Sequence, residues 1–380
     1  MKSRLFLIIA TLVGLGSMVT SCSQDDDLVV ATDGDQKEPI SFNVNICSLP
    51  DPEVSTRGYS NPASDGHFYF RNTDVVSIAI CGVSGSSRPT GESNEVIKNY
   101  NAVTVNASTP VDASTATDLT YSADADGNTT YKFDWLGPSE KISLRAWSYG
   151  DASTPATDPN GATFTLQQDQ TVDVISDNTK NIKELLYAPA LRYDKGSITI
   201  PLYHQLSRIV VNVKSTLATA TNGSTITINS LNIGDSNMPT SATFARPTGD
   251  TYANAWTYAQ ASTTASGYND TDANKEANLY GRWSGHTGTG TINAKKWASP
   301  TATYTATFSA VILPYKFTSA TKFIVITTSN GTYSYSIAAN TEFKAGYQYT
   351  FNITDLNQID FNVTVSAWGA DTNVPLTFSN

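Results

Sequence analysis

The residues that could carry catalytic chemistry are few and scattered along the sequence. The three histidines, His67, His204 and His286, have no Cys, Asp or Glu neighbour at the spacing of a metal site or a catalytic pair. The sequence also lacks the motifs of serine hydrolases, zinc proteases, phosphate-binding loops and dinucleotide-binding folds. We therefore expect no catalytic residue, no metal ion and no cofactor, and we predict that the protein is not an enzyme.

One acidic segment has the alternate spacing of a calcium-binding loop. Asp124, Asp126 and Asn128 supply oxygen atoms at every second position, but Thr129 and Trp135 stand where such a loop needs glycine and glutamate. The segment also contains Asp-Gly-Asn, which is typical of a tight turn between two strands. We favour the turn over a calcium site.

Cys22 has neighbours that predict a covalent modification. Two basic residues, Lys2 and Arg4, precede an apolar run that ends at Val19 and is shorter than the roughly 20 residues of a membrane-spanning helix. Small residues then lead into Cys22, as in the lipobox of bacterial lipoproteins, where the cysteine thiol is acylated and becomes the mature N-terminus. We predict a signal peptide over residues 1–21 and lipidation of Cys22, which would hold the protein durably on a membrane. Cleavage without lipidation is the alternative.

Residues 22–39 are polar and acidic, and a run of aspartates follows closely behind Cys22. Such a composition is typical of a solvated, disordered tether. The segment is also similar to the acidic export signal that carries lipoproteins of the Bacteroidota to the cell surface, and a plain linker is the alternative. We therefore expect a surface-exposed lipoprotein of the cell outer membrane.

Cys47 and Cys81 are the cysteines that remain when Cys22 is lipidated. In an oxidising compartment they could form a disulfide, and they could equally remain free thiols. The sequence leaves both states open.

The overall composition argues against nucleic acid as a partner and in favour of β-structure. Lys and Arg total 24 against 34 Asp and Glu, so the formal net charge is -10 and the basic surface that nucleic acid requires is missing. The 19 tyrosines, the 14 phenylalanines and an excess of Thr, Ser and Asn favour strands and turns. A chain of 380 residues is long enough for two ordinary domains.

The first strand is predicted at residues 40–47 from a strict alternation of apolar and polar side chains. Ile40, Phe42, Val44 and Ile46 share one face, and small polar residues and a cysteine share the other. This pattern is typical of a half-buried strand in an antiparallel sandwich.

The later strands predict two all-β domains of the sandwich type in series. The loop at residues 188–196 separates an N-terminal domain, residues 40–196, from a C-terminal domain, residues 197–380. A Gly-, Ser-, Thr- and Asn-rich insertion occupies residues 248–300. A loop of that length is usually functional or disordered.

A strand near the C-terminus nearly repeats the first one. Ile359, Phe361, Val363 and Val365 alternate with small polar residues in the same way. Either segment fits the same groove in a sheet, where the main chain supplies affinity and the alternate side chains supply register. A further candidate for such a donor strand is the extreme C-terminus, residues 374–378, and the sequence does not rank the two.

An accessible basic bond, Arg57–Gly58, follows the first strand. It lies in a stretch with turn-forming residues, where a trypsin-like protease can cut, so the segment that ends at Arg57 is a candidate propeptide. Cleavage would free the first strand and expose an apolar trench with unpaired backbone groups. Filling the trench with a strand from a neighbouring molecule is a head-to-tail contact, so its repetition gives a filament.

These features, in this order, resemble the fimbrillin family, the subunits of type V pili in Bacteroidales. The resemblance covers nearly the whole mature sequence and rests on short motifs at Cys22 and at residues 40–47, 56–58, 74–78, 184–188, 204–208, 312–314, 346–349 and 359–368. It implies two transthyretin-like Greek-key β-sandwich domains, export as a surface lipoprotein, cleavage after Arg57 and polymerisation by strand exchange. Members serve as stalk, anchor or tip subunits, and the motifs do not decide among these positions.

We therefore expect a structural subunit of cell-surface fimbriae that supports adhesion and biofilm formation. Its expected partners are other pilin subunits, the outer membrane, a trypsin-like maturation protease and a host protein or glycan receptor. The alternative is a surface glycan-binding lipoprotein that keeps its first strand and stacks sugars on Trp256, Trp283 and Trp297 of the insertion. The same aromatic residues could instead fix the insertion to its own domain.

Overall fold

The computed structural model of the chain describes residues 37–47, 74–103, 117–121, 132–149, 158–171, 184–214, 226–257, 279–296, 306–353, 361–367 and 374–375. In these residues nearly all regular structure is β-strand, and two single-turn 3-10 helices lie at Glu92–Asn94 and Tyr252–Asn254. The all-β prediction is confirmed.

Among the described residues, the first half of the chain contributes ten strands, and seven of them form most of one large sheet. The ten strands are β1 (Glu38–Pro39), β2 (Phe42–Cys47), β3 (Val75–Gly82), β4 (Val96–Val103), β5 (Thr117–Tyr121), β6 (Asp134–Trp135), β7 (Lys141–Ser148), β8 (Thr163–Thr165), β9 (Leu186–Asp194) and β10 (Ile198–His204). The order across the sheet is β10-β2-β5-β4-β3-β7-β9, and β10 also pairs with β9, so the sheet curls round and closes on its own core. The short β1–β6 ladder lies outside this ring, and β8 joins the second half.

The second half contains several smaller sheets that pack around a second core. Its strands are β11 (Ser207–Val213), β12 (Ile228–Met238), β13 (Ser241–Ala245), β14 (Trp256–Thr257), β15 (Arg282–Thr287), β16 (Gly290–Asn293), β17 (Lys295–Lys296), β18 (Ala306–Ile312), β19 (Tyr315–Lys316), β20 (Thr321–Thr328), β21 (Gly331–Ile337), β22 (Glu342–Phe343), β23 (Tyr347–Ile353), β24 (Phe361–Ala367) and β25 (Val374–Pro375). The two main sheets have the orders β17-β18-β11-β23-β24-β25 and β16-β12-β20-β21. Their alternate side chains form the larger of the two main apolar clusters.

The expected domain boundary at residue 196 falls inside the first sheet. β9 and β10 flank it, and Ile198 and Ile200 of β10 are fully buried in the first core. Gly196, with φ 149°, occupies the turn between these two strands, and such a turn signal marks a strand end without indicating which sheet the next strand joins. The chain passes to the second half only after His204.

The two halves also share structure across this junction. β8, from the first half of the chain, pairs with β13, and its Phe164 is buried in the second core. Trp147 of β7 and Tyr187 of β9 face that second core as well, on the side of the first sheet opposite its own core. The second half therefore covers the outer face of the first sheet at β7 and β9.

Part of the insertion predicted as a loop at residues 248–300 forms strands of the sheets. Its described residues include the second 3-10 helix and β14 to β17. β14 pairs with β9 of the first sheet, and β15, β16 and β17 pair with β13, β12 and β18 of the second half. The Gly- and Thr-rich composition hid these short strands, because it lacks the apolar alternation from which strands are recognised.

Candidate functional site: the groove that holds the first strand

β2, the strand predicted to be displaced, lies inside the first sheet between two neighbours. It runs parallel to β10 along its whole length and antiparallel to β5 at Asn43↔Asp118 and Val44↔Thr117. Both neighbours come later in the chain than the Arg57–Gly58 bond. Loss of β2 would therefore leave a groove with unpaired backbone groups between strands that remain.

The apolar side chains of β2 fill this groove. Phe42 and Val44 are 2% and 1% exposed, and Ile40, just before the strand, is 5% exposed. The Phe42 ring meets Tyr100 edge-on with 5.1 Å between ring centroids and meets Phe133 edge-on at 6.3 Å. Tyr100 and Phe133 stack on each other at 6.3 Å. We call these two residues the aromatic pocket.

Further contacts hold the N-terminal end of the segment. The Ile40 N–H donates to the Phe133 carbonyl oxygen at 2.8 Å, and β1 pairs with β6. Lys195 forms an ion pair with Glu38 at 2.8 Å, but the Glu38 side chain is 62% exposed, so water screens this pair and its contribution is small. Apolar burial and the backbone ladders are what keep the strand in place.

The two donor-strand candidates differ in how they are held. β24, which contains Phe361, Val363 and Val365, pairs with β23 over its whole length, and Val363 and Val365 are buried in the second core. Among the described residues, β25 pairs with β24 at Thr364↔Pro375 and Val365↔Val374. The segment that most resembles β2 is thus an interior strand of its own sheet.

Several predicted site residues lie outside the described part of the chain. They are Cys22, Arg57, Gly58, His67, Trp297, Ile359, the calcium-loop candidates Asp124, Asp126 and Asn128, and the side chains of Ile46, Cys47, Trp256 and Phe361. Their roles remain predictions.

The described histidines and Cys81 have structural contacts. His204 is buried and forms a hydrogen bond with Glu184 through Nδ1, and His286 Nε2 lies 2.8 Å from the Pro314 carbonyl oxygen. Cys81 is a free, buried thiol that donates to backbone carbonyl oxygens, and burial raises its pKa. A buried thiol with a raised pKa is poorly reactive, which argues against a redox role.

The described ranges contain neither a candidate metal site nor a helix that could span a membrane. No group of three or more His, Cys, Asp and Glu side chains is placed to hold a metal ion within those ranges. No helix among the same residues is long and apolar enough to cross a membrane.

Trp283 of the insertion fixes the insertion to the body of the protein. Its Nε1–H donates to the Gln205 carbonyl oxygen at 2.8 Å, and its ring packs edge-on against Phe164 and Phe244 with centroid distances of 5.8 and 5.3 Å. A ring held in this way cannot serve as a free stacking platform for sugars. Trp283 therefore agrees with the alternative in which the aromatic residues fix the insertion to its own domain.

A buried cluster of charges joins the two halves, and the sequence did not reveal it. Arg145 of β7 is 0% exposed, and its guanidinium donates to Glu92 at 2.9 and 3.1 Å and to Glu95 at 3.0 Å. It also donates to the Asp250 carbonyl oxygen at 3.4 Å and lies 4.2 Å from the centre of the Tyr252 ring. The partners lie far apart in the chain, and each one alone resembles an ordinary surface charge.

Asp250 completes this cluster from the second half of the chain. Its carboxylate accepts from the Tyr187 hydroxyl at 2.6 Å and from the Ala190 N–H at 2.8 Å. β9 carries two residues between Leu191 and Ala188 where β7 has one, so Ala190 lies in a β-bulge and Asp250 takes its N–H. The insertion thereby satisfies a backbone group that the sheet leaves unpaired.

Glu92 gives this cluster a pH dependence. Burial alone raises its pKa, but hydrogen bonds from Arg145 and the Tyr252 N–H, with the charges of Arg145 and Arg246, lower the pKa overall. Its stabilising effect is then present above the ordinary value of 4.5 and lost as the pH falls through the lower folded value. We expect Glu92→Gln to be less stable than the wild type at pH 7, with a difference that shrinks in acid.

Urea unfolding of both proteins at a series of pH values measures this difference. Glu342→Gln, at an exposed position in β22, is the matched control and should change the free energy of unfolding little at pH 7. A Glu92→Gln difference that stayed constant or grew in acid would contradict the lowered pKa.

Comparison with known proteins decides the family. Fimbrillin-like proteins match residues 90–368 of this chain. The chain belongs to the fimbrillin-like family. A Bacteroides ovatus protein provisionally described as a cell adhesion protein shares its fold, with a TM-score of 0.50 and 14% identity over 87% of this chain and 98% of the other.

Other solved structures align over similar lengths. A Bacteroides uniformis protein, also provisionally described as a cell adhesion protein, has 13% identity and a TM-score of 0.47 and covers 88% of this chain and 98% of its own. The tip fimbrial protein Mfa3 of Porphyromonas gingivalis has 9% identity and a TM-score of 0.39, covering 87% and 99%. No curated protein matches the chain.

Membership of the fimbrillin-like family makes this chain a structural protein of cell-surface fimbriae and not an enzyme. It implies association with other pilin subunits, in agreement with the expectation from the sequence.

Proposed function

We propose that this fimbrial subunit polymerises when a trypsin-like protease cuts after Arg57 and a strand of a second copy replaces β2. The observation that carries the proposal is the position of β2 as an interior strand. Its neighbours β10 and β5 stay with the processed chain, while β2 lies on the fragment that the cut releases. A single cleavage thus leaves β2 held by non-covalent contacts alone, so that another strand can replace it in the sheet.

The energetics favour replacement of the strand over an empty groove. Each large apolar side chain that leaves the core loses about 1.5–3 kcal/mol of burial, and Ile40, Phe42 and Val44 all leave together. The unpaired backbone groups of β10 add to this cost. The cut chain is therefore expected to keep β2 bound until an incoming strand displaces it.

Displacement of the cut fragment would also separate the subunit from its anchor. In this proposal Cys22 carries the lipid that tethers the precursor to the outer membrane, and Cys22 and β2 lie on the same side of the Arg57–Gly58 bond. Removal of the anchored fragment would release the subunit and open its groove in one step. Precursors held at the membrane would then not polymerise until they are processed.

Limited proteolysis of protein that starts at Ser23 tests the proposal. Trace trypsin should give a new N-terminus at Gly58 and a ladder of multimers in size-exclusion chromatography and electrophoresis. Arg57→Ala should abolish both, because trypsin needs a basic residue before the bond. Arg57→Lys, which keeps the bond cleavable by trypsin, is the matched control and should form the ladder.

Two outcomes would contradict this function. Multimers that form equally well with Arg57→Ala would show that cleavage there is not the trigger. An uncut monomer whose migration is retarded by polysaccharide in a gel would favour the glycan-binding alternative, for which Trp283 is not available as a stacking platform.

A further inference from the structure

We infer that β21, an end strand in the second half of the chain, is a contact surface for a second copy of this chain. The two copies pair their β21 strands antiparallel about a two-fold axis at Ser334, which joins their β16-β12-β20-β21 sheets into one continuous sheet. This lateral contact lies away from the groove of β2 and does not depend on cleavage at Arg57.

One side of β21 has no partner strand among the described residues. The Leu231 carbonyl oxygen of β12 accepts from the Ala294 N–H at 2.9 Å, on the side away from β20, so Leu231 and its neighbour Ile326 form a non-hydrogen-bonded pair. Ile326 therefore turns its backbone groups to Tyr333 of β21. The residues that alternate with Tyr333 turn their N–H and C=O groups outward, and they are Thr332, Ser334 and Ser336.

This outward side of β21 lacks the features that usually prevent strand pairing. The three outward residues are exposed, and the seven residues of the strand include no charged residue and no proline. The one irregularity of the β20–β21 ladder is an extra residue in β20, so β21 itself has no bulge. Native edge strands are normally protected by charge, proline, a bulge or a covering segment. A strand without any of these can accept another strand.

Three other strands at sheet ends do carry such protection. The free side of β16 is covered by the segment 168–170, because Asn293 exchanges backbone hydrogen bonds with Gln168 and Gln170 at 2.8 and 3.1 Å. β17 has only two residues, and both are lysines. β15 begins at Arg282 and contains a bulge with Gly285 at φ 60°. β21 differs from all three.

A second β21 fits this edge because the strand is nearly symmetric about its centre. With the axis at Ser334, this residue lies opposite its own copy and Thr332 lies opposite Ser336 of the other copy, and all of these are hydrogen-bonded pairs. Tyr333 then lies opposite Tyr335 of the other copy in a closer, non-hydrogen-bonded pair. Both tyrosines are half-buried against the second core, so the second copy covers the parts that remain exposed.

Electrostatics also favour self-pairing at this edge over other parts of the surface. A two-fold contact brings like side chains together, so a charged strand would repel its own copy. The net charge of -10 makes whole chains repel one another as well. β21 is uncharged, and Lys322, the charged residue of β20, forms an ion pair with Asp235 at 2.7 Å.

This contact has a different consequence from strand replacement. A two-fold contact closes on itself and gives pairs of subunits, whereas a head-to-tail contact gives a filament. A single β21 ladder is a small interface, so pairing of single subunits should be weak and reversible. Fibres that present β21 repeatedly would gain avidity and associate side by side.

Sedimentation of the uncut chain that starts at Ser23 measures the contact without protease. The wild type should form a reversible dimer as its concentration rises. Thr332→Lys combined with Ser336→Lys places like charges opposite each other at both ends of the ladder and should weaken dimerisation by about tenfold or more. Thr332→Lys combined with Ser336→Glu places opposite charges there and should restore it. Urea unfolding should be the same for both variants, since the two positions are exposed.

Disulfide trapping tests the register in the same chain carrying Cys47→Ser. Ser334→Cys should cross-link to its own copy under a mild oxidant, because paired residues of adjacent strands lie within disulfide range. Thr332→Cys alone lies about 13 Å along the strand from its own copy and should not cross-link. A mixture of Thr332→Cys and Ser336→Cys chains should form the mixed dimer. Cys81 is buried and common to all variants.

Three results would overturn the inference. They are a chain that stays monomeric at every concentration without a Ser334→Cys cross-link, equal dimerisation of the two double variants, and cross-linking of Thr332→Cys to its own copy. None of them affects the proposed function, which is tested by cleavage after Arg57. Conversely, cut chains that form no ladder would refute the proposed function and leave the β21 contact standing.

Discussion

Replacement of Phe42 by alanine is expected to lower the free energy of unfolding of the uncut chain by about 3–5 kcal/mol. Phe42 is 2% exposed and touches both rings of the aromatic pocket, so truncation leaves a cavity whose walls are tied to each other and cannot collapse into it. Urea unfolding of the protein before proteolysis measures the loss.

The groove offers two controls for this prediction. Asn43→Ala changes the adjacent residue, whose side chain points away from the first core and is half-buried, and should cost no more than about 1 kcal/mol. After cleavage at Arg57 and removal of the fragment, the Phe42→Ala and wild-type proteins are the same molecule, so the difference must disappear. A loss that persisted in processed protein would mean that cleavage had not released β2.

The same substitution should also change the kinetics of assembly. A strand that is bound more weakly leaves its groove more readily, so Phe42→Ala precursors are expected to form multimers faster than the wild type after the cut. Stability of the precursor and rate of assembly would then move in opposite directions for this residue. A lower stability of the precursor together with faster assembly is the result expected if another strand replaces β2.

β2 and β24 could be predicted from the sequence because each has one buried face. Their apolar residues alternate with polar ones, and this local pattern is enough to place a strand. For β9, in contrast, the sequence pattern predicts a loop from residue 188 onward. Pro189 and the bulge beside it break the alternation, and residues on both faces of this strand are buried, so no polar face marks it.

The residues of the site also differ in whether the sequence alone reveals them. The first strand is one local segment, and its four apolar positions can be recognised from the sequence. The aromatic pocket and the charge cluster are not local: Tyr100 and Phe133 are 33 residues apart, and Arg145 and Asp250 are 105 apart. Their proximity depends on the closure of the first sheet and on the return of the insertion to cover it, which single-sequence periodicity does not encode.

Asp250→Ala is expected to lower the free energy of unfolding by about 3–5 kcal/mol, because it removes one partner from a buried ionic network. The Tyr187 hydroxyl and the Ala190 N–H lose their acceptor, and Arg145 loses the nearest charge on the second half of the chain, 3.8 Å away. Urea unfolding of the uncut protein measures the effect. Asp235→Ala is the matched control, since its ion pair with Lys322 is exposed and should contribute no more than about 1 kcal/mol.

Asp250 attaches the start of the insertion to β7 and β9 of the first sheet. It binds the bulge of β9 and lies beside Tyr252, whose ring stacks on Arg145, so its loss should loosen the segment that buries the outer face of β7 and β9. Amide hydrogen exchange in β9 should then rise more than exchange in β23, which lies in the other half. Equal changes in both strands would indicate that the two halves unfold as one unit and that the cluster stabilises the whole chain.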